Sequence, residues 1–142
     1  MRSLTTAADR FRAAHGLPAT LDAACAAFEQ ILTVIAGYER ATGTGLAITF
    51  LFAATQAANG RDAMLFAPSL PAVARHAPAP AGEQREWNAR DLKTPIAALA
   101  DLLARGLGHT ATTAASGADR AACHDAAACA TRICYLLTRP GP

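Results

Sequence analysis

Apolar residues recur along this chain at intervals of three and four, the spacing of one helix face. Leu4, Ala8, Phe11 and Ala14 mark a first helix over about Thr5–His15, which Gly16 stops, with Pro18 as a further breaker. Thr20 is a good N-cap for a second helix, and Asp22 supplies the anion that a first turn favours. Its stripe is Leu21, Cys25, Phe28, Leu32 and Ile35, and Gly43 is its expected end. The third segment, about Thr44–Ala58, is apolar nearly all round, with Leu46, Ile48, Phe50, Leu51 and Phe52. A helix without a polar face belongs in the centre of a bundle or inside a larger assembly. Asn59-Gly60 is its expected break, and Met64, Leu65 and Phe66 can add a turn.

The periodicity then lapses. Pro68, Pro71, Pro78 and Pro80 make a long regular helix improbable over residues 67–93, although Leu70–Arg75 can form a turn or two. A structureless connection of this length in a small domain is usually a functional loop or a mobile linker. It carries the single tryptophan, Trp87, which either pins the segment onto the bundle or serves in recognition. The fourth helix opens with Thr94 as N-cap and Pro95 at its first position. It follows the stripe Ile96, Leu99, Leu103 and Leu107 and closes near Gly106–Gly108. The fifth starts from Ser116-Gly117-Ala118-Asp119, a variant of the capping box, and continues to about Thr138, before Pro140. The expected fold is therefore all-α: one domain, residues 1–142, a bundle of about five helices with the third at its centre and a long Pro-rich loop between the third and fourth.

Composition agrees. Of the 52% hydrophobic residues more than half are alanine, 38 in all, followed by 15 Leu against only 5 Ile and 2 Val. That bias favours helices over sheets. Net charge is +2, divided along the chain without a basic block, so no strong footprint for DNA or an anionic membrane is expected. Arginine outnumbers lysine twelve to one, which with so much alanine reads as GC-rich coding. Asp9, Arg10 and Arg12 interrupt any signal-peptide core. The uncharged stretch between Arg40 and Arg61 is broken by glycines, Thr49, Thr55 and Gln56, so it reads as a buried helix rather than a membrane span.

Catalytic signatures are few. None of the four Glu has a His three or four residues later, against a di-iron carboxylate bundle. No zinc-type Cys or His spacing occurs, and adjacent Cys123 and His124 point ~100° apart on a helix. Cys123 beside His124 is the only nucleophile–base neighbourhood in the sequence, and packing is its simpler explanation. His15 and His109 suit helix C-termini. Cys129 and Cys134 are ~7.5 Å apart along a helix axis and diverge by ~140°, which a disulfide cannot span. Cys123 and Cys134 are farther apart still, so only Cys25 can bridge to one of the last three, and reduced thiols in a cytoplasmic protein are the default. Gly43-Thr44-Gly45 has neither a preceding strand nor a following Lys, and so reads as a helix start rather than a nucleotide loop. No catalytic residue, metal or cofactor is implied.

Three readings of function follow. The first is a non-enzymatic accessory subunit that works through a protein partner or through self-association, as an all-round apolar helix and Ala-rich faces suggest. The second takes the segment over 67–93 as a lid on a small-molecule pocket, with Arg85, Trp87 and Arg90 as contacts. The third rests on a resemblance. Gly45-Leu46-Ala47-Ile48-Thr49-Phe50-Leu51, after an amphipathic helix, resembles the Gly-Leu-x-x-x-Phe-Leu helix start of the small all-helical subunits of CRISPR effector complexes. The last helix, with Arg132, Tyr135 and Arg139 near its end, is loosely similar to that family's basic closing helix. The resemblance implies a non-catalytic subunit stacked along a nucleic-acid duplex, with Arg40, Arg105, Arg132 and Arg139 toward the phosphate backbone. That reading needs the four arginines on one face.

Overall fold

A computed structural model describes residues 2–42, 47–75 and 89–139. All regular structure among them is α-helical: α1 (Arg2–Ala13), α2 (Leu17–Thr42), α3 (Ile48–Leu65), α4 (Ala72–Arg75), α5 (Ala89–Thr113) and α6 (Gly117–Thr138). Six helices replace the expected five, because the chain between two prolines of the irregular segment closes the short turn α4, opened by an Ala74 N–H to Pro71 carbonyl bond of 3.0 Å.

The helix directions follow from pairs of contacts. Arg61 of α3 meets Glu29 of α2 at 3.0 Å, and the Phe50 ring lies 5.7 Å from that of Tyr38, so α2 and α3 are antiparallel. Ser69, just beyond α3, bonds Asp119 at the start of α6, while Gln56 meets Arg132 farther up, so α3 and α6 are antiparallel too. A three-residue turn makes α5 antiparallel to α6. Around the core the order is thus α2, α3, α6, α5, with α1 packed beside α2 and α5. α3 and α5 run the same way and sit diagonally, so their connection is a crossover rather than a hairpin turn. Four-helix bundles with one such crossover are a known solution.

The core is built from α2 and α5 as much as from α3. Leu21, Phe28, Ile31 and Ile35 of α2 and Leu92, Ile96, Leu103 and Leu107 of α5 are fully buried. By length and composition α2 could cross a membrane, but its apolar side chains pack against the neighbouring helices. The third helix is not central, contrary to the expectation from its composition: it buries Phe50, Ala53, Ala57, Gly60 and Met64 and leaves Ile48, Leu51 and Phe52 exposed. Its apolar residues all round the helix serve two surfaces, one inward and one outward.

Several helix ends also differ from the sequence pattern. Gly16, at φ +83°, takes the left-handed conformation that turns α1 into α2, and α2 begins at Leu17, so Pro18 lies in its first turn. Asn59-Gly60 does not break α3. A Cβ at Gly60 would lie 2.5 Å from the Phe28 ring, so this glycine is a notch for an aromatic side chain. Gly106 does the same for Phe11, and α5 continues through it and Gly108 to Thr113. α5 also starts before Pro95, which sits inside the helix. The Ser116 cap is as expected: its hydroxyl accepts from the Asp119 N–H at 3.3 Å.

Candidate functional site

Two surfaces combine shape with chemistry. The first is an open cleft of about 640 Å³ between α1, α2, α3 and α4. Its floor is Cys25 and Ala26, and its apolar wall is Leu65, Val73 and Ala74. The charges that line it are matched within the chain. Arg10 pairs with Asp22 at 2.8 Å, and Arg61 with Glu29 at 3.0 Å and Asp62 at 3.2 Å. Arg75 donates to the carbonyls of Leu65 and, at 2.8 Å, Ala67, closing the C-terminus of α3. Burial pushes the Cys25 thiol up, and Glu29 and Asp22 add to the shift, so it stays protonated rather than nucleophilic.

The other cysteines follow the same logic. All four are free, with Cys25, Cys123 and Cys129 buried and Cys134 half-buried. Cys123, fully enclosed, is pushed from 9.0 to about 11 by burial and by the nearby Asp119 carboxylate. A thiol raised in the fold favours the folded state below its unfolded pKa, and that contribution disappears as pH climbs through the folded value. Unfolding free energy should therefore decline between about pH 9 and pH 11, and Cys123→Ala should flatten the decline in denaturant titrations; an alkaline limb unchanged by that substitution would contradict the assignment. His124 beside it is exposed, and among the described residues no group of His, Cys, Asp or Glu is arranged to hold a metal.

The second surface is the outer face of α3 and α6. Two depressions run along the seam between them and share Arg132. The upper, about 240 Å³, is lined by Phe52, Thr55, Gln56, Tyr135 and Leu136. The lower, about 350 Å³, is lined by Asn59, Asp62, Ala63, Phe66, Asp125 and Ala128. Large apolar side chains stand out at both ends: Ile48 is 65% exposed, Phe52 52% and Tyr135 60% at the top, and Phe66 80% at the bottom. Arg139 stacks over the Tyr135 ring, 5.1 Å from its centroid. Arg132 reaches Gln56 at 3.5 Å.

The sequence-derived candidates are distributed as follows. Arg132 and Tyr135 share one face of α6, and Arg139, the C-cap residue just beyond it, stacks on Tyr135. Arg105 is on α5, paired with Asp101 at 2.7 Å, and Arg40 is exposed at the end of α2, so the four arginines are divided among α2, α5 and the C-terminal end of α6, and only Arg132 and Arg139 are brought together. Arg90 falls in the first turn of α5, where no side chain is described, and Arg85 and Trp87 lie outside the described residues. Ile48 and Leu51 of the Gly45–Leu51 motif face outward, while Gly45 and Leu46 are outside the described residues. Sequence reasoning missed Phe52, Phe66, Asp62 and Asp125 as surface residues. The available signal was the alternation on α3 of Ile48, Phe52, Thr55, Asn59, Asp62 and Phe66, a second stripe opposite the buried one. No family model, curated protein or solved structure matches this chain.

Proposed function

We propose that this protein is a non-enzymatic, cytoplasmic accessory subunit that works by docking protein through the α3/α6 face. The observation that carries the reading is the contiguity of that face. Single exposed apolar residues are ordinary on soluble proteins. Here Phe52 and Tyr135 share one depression and Phe66 lines the next, with Arg132 common to both. Contiguous apolar surface of this kind marks association sites. Tyrosine, phenylalanine and arginine are also the residue types that anchor interfaces.

Charge favours protein over nucleic acid as the partner. Asp62 and Asp125 stand on the same face as Arg132, so a phosphate chain laid along it would meet both signs. In the cleft, by contrast, each cation already has an acidic or carbonyl partner, which supports no specific charged ligand there.

The test is photo-crosslinking in the full chain. A benzophenone amino acid in place of Phe52 should give one adduct of defined mass, and the same probe in place of exposed His109 on α5 should not. Equal labelling from both positions, or none from position 52, overturns the docking reading.

A further inference from the structure

Resting on that docking reading, the geometry points to a second copy of this chain as the occupant of the α3/α6 face, in a two-fold antiparallel dimer. The argument begins with how the face is divided. Arg139 lies at its upper end and Arg132 where the two depressions meet, while Asp125 and Asp62, the latter also paired with Arg61, line the lower depression. Seven residues of α6, ~10 Å along the axis, separate Asp125 from Arg132. Ala128 lies between them, opposite Asn59 of α3. A surface whose two signs are offset along its length is complementary to itself when a copy is turned end for end about a point between them. Like-charged ends meet if it is not.

A two-fold axis lying in the plane of the interface, across the helices at the level of Asn59 and Ala128, makes three pairings at once. Arg132 of one copy comes level with Asp125 and Asp62 of the other. Phe52 and Tyr135 come level with the other copy's Phe66, so the exposed aromatic ends cover each other. At the axis Ala128, with only a methyl group, meets its own counterpart, which lets the helices approach closely. The three pairings arise from one operation and need no rearrangement of the backbone.

Size sets the expected strength. The 18 residues of α3 span ~27 Å, and two helices side by side are roughly 20 Å wide, so the face offers on the order of 500 Å² in projection per copy. That is the small end of specific interfaces, so the association should be a reversible, concentration-dependent equilibrium.

Sedimentation of the full chain over a concentration series, with two charge reversals, tests this. The wild-type chain should pass from one to two chain masses. Arg132→Glu and Asp125→Arg should each raise the midpoint concentration by about tenfold or more, since each sets like charges against each other twice. An equimolar mixture of the two variants should recover the dimer, because both cross-pairs are then opposite in sign; circular dichroism confirms that each variant is folded. A wild-type chain that stays monomeric, or variants whose mixture does not recover association, overturns the proposal. The Phe52 crosslink separates the two readings. An adduct of two chain masses joined near Phe66 supports the dimer. A defined adduct with a different protein overturns the dimer and leaves the docking reading standing, and no adduct overturns both.

Discussion

Gly60→Val should lower the unfolding free energy by about 3 kcal/mol, read from the midpoint of a urea titration at unchanged slope. A Cβ at this position would lie 2.5 Å from Cε1 of Phe28 and 2.6 Å from Cζ, well inside van der Waals contact. Phe28 is wholly buried, so its ring has no solvent to move into and the two helices must separate instead. Helix propensity works the other way, since valine is better than glycine by a few tenths of a kcal/mol, and is outweighed. The cause can be isolated. Phe28→Leu shortens the side chain that fills the notch and by itself should cost ~1 kcal/mol; combined with Gly60→Val it should cost less than the sum of the two. Additive losses in that cycle would show that the notch is not what makes Gly60 necessary.

Asp119→Ala should cost a similar ~3 kcal/mol. The Asp119 side chain is buried and accepts twice from Ser69, from the backbone N–H at 3.1 Å and from the hydroxyl at 2.6 Å. It also places an anion in the first turn of α6, where Ser116 caps its N–H. Alanine leaves both Ser69 donors without their acceptor and removes the charge from the helix start. Ser69→Ala removes only one of the two bonds and should cost about 1 kcal/mol. Asp119→Asn keeps a carbonyl acceptor and should fall between the two. A loss below ~0.5 kcal/mol for Asp119→Ala would mean that the contact between the α3 end and α6 is not needed for the fold.

Individual residues show where the sequence was informative. Helices were legible wherever a single stripe faced a single core: Leu21, Phe28 and Ile35, or Ile96, Leu103 and Leu107, are buried as their spacing requires. The Ser116 cap was legible because its hydrogen bond is local. The glycines were misread because propensity alone makes Gly60 and Gly106 look like terminators; their reason is a ring on another helix, Phe28 or Phe11, which no local pattern contains. α3 was misplaced for a related reason. Ile48, Leu51 and Phe52 look like core residues by hydrophobicity, and only the packing of α2 and α6 on its other side leaves them outward. The candidate face was half-visible: Arg132 and Arg139 were singled out, but its acidic end, Asp62 and Asp125, becomes part of the same surface only when α3 lies antiparallel to α6.

The crossover between α3 and α5 gives the four seams of the bundle different histories during folding. The α2/α3 and α5/α6 seams close within hairpins, from contacts near in sequence that form early at small entropic cost. The α3/α6 seam joins Ser69 to Asp119, 50 residues apart, and Gln56 to Arg132, 76 apart. Loops of that size close only when the two hairpins dock. Gly60 belongs to the first kind of seam and Asp119 to the second. Their equal losses in stability should therefore separate kinetically, with Gly60→Val slowing refolding and Asp119→Ala mainly accelerating unfolding in stopped-flow denaturant jumps.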